Sequence, residues 1–432
     1  MIIIKSVFFV LVYILISGKI LAQQYDYCIH DVSVITAEKA TPLHEHQDVF
    51  LRKDKIAKIS ASSGVTPKNC RTVIDGTGKF LMPGLTDMHV HLPSEHIEKF
   101  MLLNLAAGVT TIRSMRGKYS HIELKKNITS GKMLGPDLYI ASPYFPNKNI
   151  TIDRLADSIQ GFKNAGFDFV KVLAVPDSLY FEALMKAAKK AGLPVVGHAP
   201  NHVSIERVIE SDYACIEHLQ GLDDAFITDS NTIPALVEKM KEHNTYNCPT
   251  LDYYNVFLLQ VPVAELQKRP GLDFMDKQTV AGWTKDLTED FAKFNQGSGD
   301  TLKRKQEKRQ RNMEMRYRLI KQLNDLGAKM ILSPAEANDP FGVPGFCVWE
   351  EMKLFSRAGI SNKDILRIAT YNAADFFHES DSWGSIAEGK KANLLLLDRN
   401  PLESIENIQS QRGVFLAGKY YEPKTLEAMM KD

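Results

Sequence analysis

Runs of apolar and β-branched residues recur along this chain at two rhythms, and the change of rhythm divides it. Between residues 25 and 82 the runs are short and closely spaced: Tyr27–Thr36, Val49–Ile59 and Thr72–Leu81. Turn-forming pieces such as Ala61-Ser62-Ser63-Gly64 and Asp75-Gly76-Thr77-Gly78 separate them. Such runs predict strands bounded by turns. The far end, from Gly384 to Glu422, has the same texture, with runs at Ala392–Leu397 and Arg412–Leu416 and a final Gly418-Lys419-Tyr420-Tyr421. In the middle the rhythm is longer. Apolar runs at Gly84–His91, Val109–Arg113, Leu138–Ala141, Phe167–Leu173, Pro194–His198, Cys215–His218, Thr245–Leu251 and Lys329–Ser333 alternate with helical patterns such as Leu179–Lys190. Eight strands separated by helices predict an α/β protein, a (β/α)8 TIM barrel over residues 83–379. The two terminal segments, 23–82 and 380–432, are expected to combine into one flanking β-domain.

The first 22 residues change the picture of where the protein works. Lys5 precedes the apolar stretch Val7–Ile16, and Ser17, Gly18 and Ala22 supply small residues near a cleavage point. This is the pattern of a signal peptide, cut after Ala22, so a periplasmic or secreted protein is expected. The apolar stretch is short of the roughly 20 residues needed to span a bilayer, so no stable membrane span is expected after cleavage. Composition is that of an ordinary globular chain, 44% hydrophobic and 24% charged over 432 residues. The formal charge of +1 falls to −1 without Lys5 and Lys19, which leaves no basic field for nucleic acid. The charged stretch Lys303–Arg316 interleaves acidic residues and reads as a solvated helical face. A homo-oligomer is compatible with all of this. Five widely spaced cysteines contain no CxxC pair, and Cys28 with Cys70 is the pair to examine for a disulfide.

Candidate chemistry starts at Pro83-Gly84-Leu85-Thr86-Asp87-Met88-His89-Val90-His91. Residues two apart on a strand share a face, so His89 and His91 would present both imidazoles inward and could chelate a divalent cation. His198 ends Pro194-Val195-Val196-Gly197-His198, His218 ends Ala214-Cys215-Ile216-Glu217-His218, and Lys171 follows Asp168-Phe169-Val170. All five thus fall at the carboxyl ends of expected strands, where barrel active sites form.

These segments resemble the amidohydrolase superfamily, in its imidazolonepropionase-like and Xaa-Pro dipeptidase-like branch. The resemblance continues through Gly108–Arg113, Cys248-Pro249-Thr250-Leu251 and the stretch from Pro344 to Leu402. It implies the barrel with a flanking β-sandwich from both termini, and a hydrolase with two divalent metal ions, zinc first among the candidates. His89 and His91 would bind one metal and His198 and His218 the other, with Lys171 as an N6-carboxylysine bridging both. A free ammonium would repel two cations, so Lys171 fits only if neutral or carboxylated. The implied reaction is cleavage of a C–N bond in a small amide, dipeptide-like or cyclic, by a hydroxide bridging the metals. A mononuclear deaminase or lactonase, and a metal- or ligand-binding protein without catalysis, are the other readings.

One part of the family pattern is broken. Relatives carry an aspartate at the end of the eighth strand, as proton shuttle. Here the stretch reads Ser333-Pro334-Ala335-Glu336-Ala337-Asn338-Asp339. Counting back from Pro344-Gly345-Phe346 puts Glu336 at that position; counting forward from Gly327 puts Ala335 there. Glu336 is the expected catalytic residue, with Asp339 as the other carboxylate within reach. Ser114 also stands where relatives often have an aspartate, and carries no assigned role.

Overall fold

The computed structural model describes residues 24–38, 43–146, 150–297, 299–334 and 339–431. The leader 1–22 and Glu336 therefore lie outside the described residues.

At the amino end, β1 (Tyr25–Ile35) pairs antiparallel with β2 (Leu43–Arg52), which pairs with β3 (Lys55–Ala61). β4 (Cys70–Asp75) and β5 (Phe80–Pro83) both run parallel to β1. The run Val49–Ile59 is two strands rather than the expected one, because Lys53 takes a left-handed conformation, φ 54°, and turns the chain into a hairpin. Thr72–Leu81 is likewise split. The Asp75 carboxylate accepts from Thr77 N–H at 3.0 Å, an Asx turn that ends β4.

The middle of the chain supplies parallel strands: β6 (Leu85–Val90), β7 (Val109–Ser114), β8 (Asp137–Ile140), β9 (Val170–Val172), β10 (Val195–Gly197), β11 (Cys215–Glu217) and β12 (Tyr246–Cys248). β6–β7–β8 form one parallel sheet and β9–β10–β11–β12 another. Bridges Ala141–Phe169 and Phe145–Val172 connect the two sheets. Of the expected eighth strand, Lys329–Ser333, only Met330 forms a bridge, to Asn247. Hydrogen bonding nevertheless runs on, since Leu332 O accepts from Met88 N–H at 3.0 Å and so leads back to β6. Helices fill the connections. Ser178–Ala191 shows why they form: the Asp177 carboxylate caps Tyr180 N–H, Tyr180, Phe181, Leu184 and Ala188 are buried on one stripe, and left-handed Gly192 ends it.

β13 (Leu394–Leu397) returns to pair antiparallel with β5, followed by β14 (Gln411–Leu416) and β15 (Lys419–Tyr421). Strands from both termini thus share one eight-stranded sheet. Cys28 and Cys70 meet against Phe50 in this sheet as unbridged thiols. The excursion after β12 holds the long helices Lys277–Phe294 and Gly299–Asp325; the second buries side chains only from Met313 onward. No helix among the described residues is long and apolar enough to cross a membrane.

The architecture is a mixed α/β fold of the TIM-barrel type. One glycine in it holds two strands at close range. Gly197 has φ +135°, and a Cβ there would lie 2.0 Å from Val172 O. Gly197→Ala is predicted to cost about 2–4 kcal/mol, from backbone strain and the clash together. A urea unfolding midpoint unchanged from wild type would contradict the close approach of β9 and β10.

Candidate metal centre

Alternation along the parallel strands sorts side chains into two layers. Met88, Ala141, Phe169, Val196, Cys215, Tyr246, Cys248 and Ile331 join Phe376 and Trp383 in one apolar cluster. Two residues farther along their strands stand Lys171, after Phe169; His198, after Val196; and Glu217, after Cys215. A polar layer therefore lies above an apolar one, at the carboxyl ends of the strands.

The structure brings the predicted residues together. The His89 and His91 ring centroids are 5.6 Å apart, His89 and His218 4.6 Å, and His198 and His218 5.1 Å. Tyr144 OH reaches His91 Nε2 at 3.5 Å, and the Tyr253 ring is 5.7 Å from that of His218. His89, His218 and Lys171 are buried, while His91 and His198 are half-buried. Burial first, and then the positive charge of Lys171, among other neighbours, hold His89 well below the ordinary imidazole range; His218 is lowered by burial, then His89 and Lys171. Both rings are thereby kept neutral, with a lone pair to offer. His198 is tied down through its main chain, its N–H donating to Val172 O at 3.0 Å and its carbonyl accepting from Tyr213 OH at 3.0 Å.

His218 reaches the centre by a route that alternation alone does not give. Glu217 already faces inward, so the next residue should face away. His218 instead adopts φ 61°, a left-handed conformation open to histidine at modest cost, and its ring turns back into the layer. Its Nδ1 lies 2.8 Å from the Thr250 hydroxyl. Thr250 is itself left-handed at φ 54°, a strained conformation for a β-branched residue, at the end of β12.

Sequence reasoning missed the residues behind the histidines. Glu217 Oε2 is 2.8 Å from His89 Nδ1, and its Oε1 accepts from Arg113 Nη2 at 2.7 Å. Arg113 also donates from Nε to Met88 O at 2.6 Å and lies over the Phe376 ring at 5.0 Å. Asp87, two residues before His89, accepts from Ser333 Oγ at 2.6 Å, and burial raises its carboxyl to about 7. The signal was present in each case: a charged residue inside, or at the end of, an otherwise apolar strand.

Among the described residues no three His, Cys, Asp or Glu side chains close into a ready metal cage. The donor set nonetheless suits a divalent metal. His89 and His218 both engage Nδ1 with protein partners, which leaves Nε2 as the free ligand position, the arrangement that fixes metal-binding histidines. His89, His91, His198, His218 and Lys171 are the residues that would hold it. Of the carboxylates considered for the eighth strand, Glu336 lies outside the described residues. Asp339 is half-buried on the loop after Pro334, whose carbonyl accepts from Tyr253 N–H at 3.1 Å.

Similarity to known proteins bears on the family and the fold. Adenine deaminase 2 of Shouchella clausii is 26% identical over 179 residues, 37% of this chain and 31% of that protein. The dihydroorotase of Bacillus cytotoxicus is 29% identical over 172 residues, 37% of this chain and 39% of that protein. These matches thus span well under half of the relatives' own lengths. A solved Xaa-Pro dipeptidase with methionine bound in its active site superposes with a TM-score of 0.67, covering 92% of this chain and 99% of that one at 19% identity. At that identity the likeness speaks for the fold. Residues 80–420 match the Amidohydrolase family. Because that match runs from β5 to β15 and takes in every residue of the polar layer, the chain belongs to the amidohydrolase family.

Proposed function

We propose that this chain is an exported, metal-dependent hydrolase that cleaves the C–N bond of a small amide, dipeptide-like or cyclic, at a binuclear centre. The observation that carries this reading is the meeting of four imidazoles and one buried lysine at the ends of parallel strands. The catalytic unit in this reading is a (β/α)8 barrel over residues 83–379, with the terminal segments 23–82 and 380–432 as a flanking β-sandwich and residues 1–22 as a signal peptide that sends the protein to the periplasm or outside.

His89 and His91 would hold one cation and His198 and His218 the other. Lys171, as N6-carboxylysine, would also hold metal, since the modification would replace a buried positive charge by a negative one and turn a cation-repelling pocket into a cation-holding one. Two divalent ions, zinc first among candidates, would supply an activated water and polarise the scissile carbonyl. The chain's own contribution is positioning. Glu217 and Thr250 orient two rings from behind, and Tyr144 and Tyr253 lie against His91 and His218. Glu336 takes the role of proton shuttle to the leaving amine.

Metal content per chain of the purified protein, wild type beside Lys171→Ala, tests the centre. Two metals in the wild type, falling to one or none in the variant, are expected. A single metal untouched by the substitution would instead favour a mononuclear deaminase or lactonase. Glu336→Gln is predicted to keep the metals and lower turnover of a cleaved dipeptide or cyclic amide by at least about 100-fold. An unchanged rate would remove Glu336 from the mechanism, and bound metal without turnover of any amide would leave a binding protein.

A further inference from the structure

Arg113, Glu217 and His89 come from β7, β11 and β6 and form one relay, with every side chain at most 1% exposed. A guanidinium has five donors and no acceptor. Arg113 is fixed at two points, its Nε on Met88 O and its Nη2 on Glu217 Oε1, so the oxygen it meets has to accept. Glu217, ion-paired in this way, has only acceptor capacity left at Oε2, which lies 2.8 Å from His89 Nδ1. The proton of that hydrogen bond must come from the imidazole. We propose that Arg113, acting through Glu217, selects the His89 tautomer with Nδ1 protonated and Nε2 bare, which makes both of them positioning residues for the centre.

The neighbouring histidine shows that this is a specific device. His218 Nδ1 meets the hydroxyl of Thr250, which donates or accepts as needed and so dictates no tautomer. His89 is different because the group behind its partner can only donate. Alternation explains how one strand end serves two ligands: Glu217 faces inward by strand geometry, and His218 follows through its left-handed turn. The inference deepens the proposed function by taking His89 as a metal ligand, but the tautomer itself is measurable without metal.

The relay makes a prediction that a merely structural ion pair does not. In Glu217→Gln, Arg113 still needs an acceptor, so the new amide turns its oxygen to Arg113 and its NH2 to His89 Nδ1. His89 is then forced to carry its proton on Nε2. Adding Arg113→Met frees the amide to turn either its oxygen or its NH2 to Nδ1, so the Nε2–H form is no longer imposed. The experiment is nitrogen NMR on metal-stripped full chain with isotope-labelled histidine, His89 being assigned by substitution. Zinc affinity is measured in parallel by competition with a chelator. Wild type is expected as the Nδ1–H form. Glu217→Gln should give the Nε2–H form with about 10–100-fold weaker zinc binding. The double variant should show a mixture of the two tautomers, with zinc affinity between that of wild type and that of Glu217→Gln.

An Nδ1–H form retained in Glu217→Gln, or a double variant as purely Nε2–H as the single one, would overturn the relay. If Glu217→Gln does not fold, the charge-balanced double variant Arg113→Met/Glu217→Leu decides the matter. It should lose the uniform Nδ1–H form of wild type, and an unchanged tautomer would sink the idea. A wild type that binds no zinc at all would count against the proposed function while leaving the tautomer result to stand by itself.

Discussion

Arg113 is a positive charge buried beside the imidazoles, and the centre is organised around holding that charge out of water. Taking an ion from water into a protein interior costs several kcal/mol, and the cost is recovered only by close pairing and hydrogen bonding. Arg113 recovers it with the Glu217 carboxylate, a main-chain carbonyl and an aromatic face. Burial, before any neighbouring charge, holds His89 and His218 well below the ordinary imidazole range. The apolar cluster beneath, from Met88 to Trp383, excludes water from one side of this layer. Each element of the site is thus a response to a charge that the fold has committed itself to burying.

Much of this was legible before any coordinates. His89, His91, Lys171, His198 and His218 each end an apolar run, and parallel strands gather their carboxyl ends, so five residues distant in sequence were expected in one place. The shared sheet of the two termini followed from their matching texture. Other features leave weaker traces. Alternation allows only one of Glu217 and His218 to face inward, and the left-handed backbone that admits both is invisible in a string of letters. The same blindness hid the hairpin at Lys53, another left-handed residue that breaks a continuous apolar run. Arg113 and Asp87 stood in quoted motifs but were read as strand texture, because their partners lie far away in sequence and only folding introduces them.

The eighth strand marks the limit of pattern matching. Its hydrogen bonds to β12 and β6 are in place, yet only Met330 pairs as a bridge, and Ser333 spends its hydroxyl on Asp87. The family resemblance predicts a carboxylate just beyond that point, and this chain offers Pro334 and Ala335 before Glu336. In the proposed reading this departure lies in the short stretch that would carry the proton, while the positions proposed as metal ligands keep the pattern of the resemblance.

The excursion between β12 and Met330 has a consequence of another kind. Its helix Lys277–Phe294 packs with Val256, Leu259, Leu266 and Phe341 in a small core separate from the main one. The helix Gly299–Asp325 joins the main core only through its last turns, from Met313 to Leu323. Changes of length or charge in the outer turns therefore meet a core that shares no buried residue with the one around the histidine-bearing strands, so the excursion can vary there without opening a gap beneath the centre.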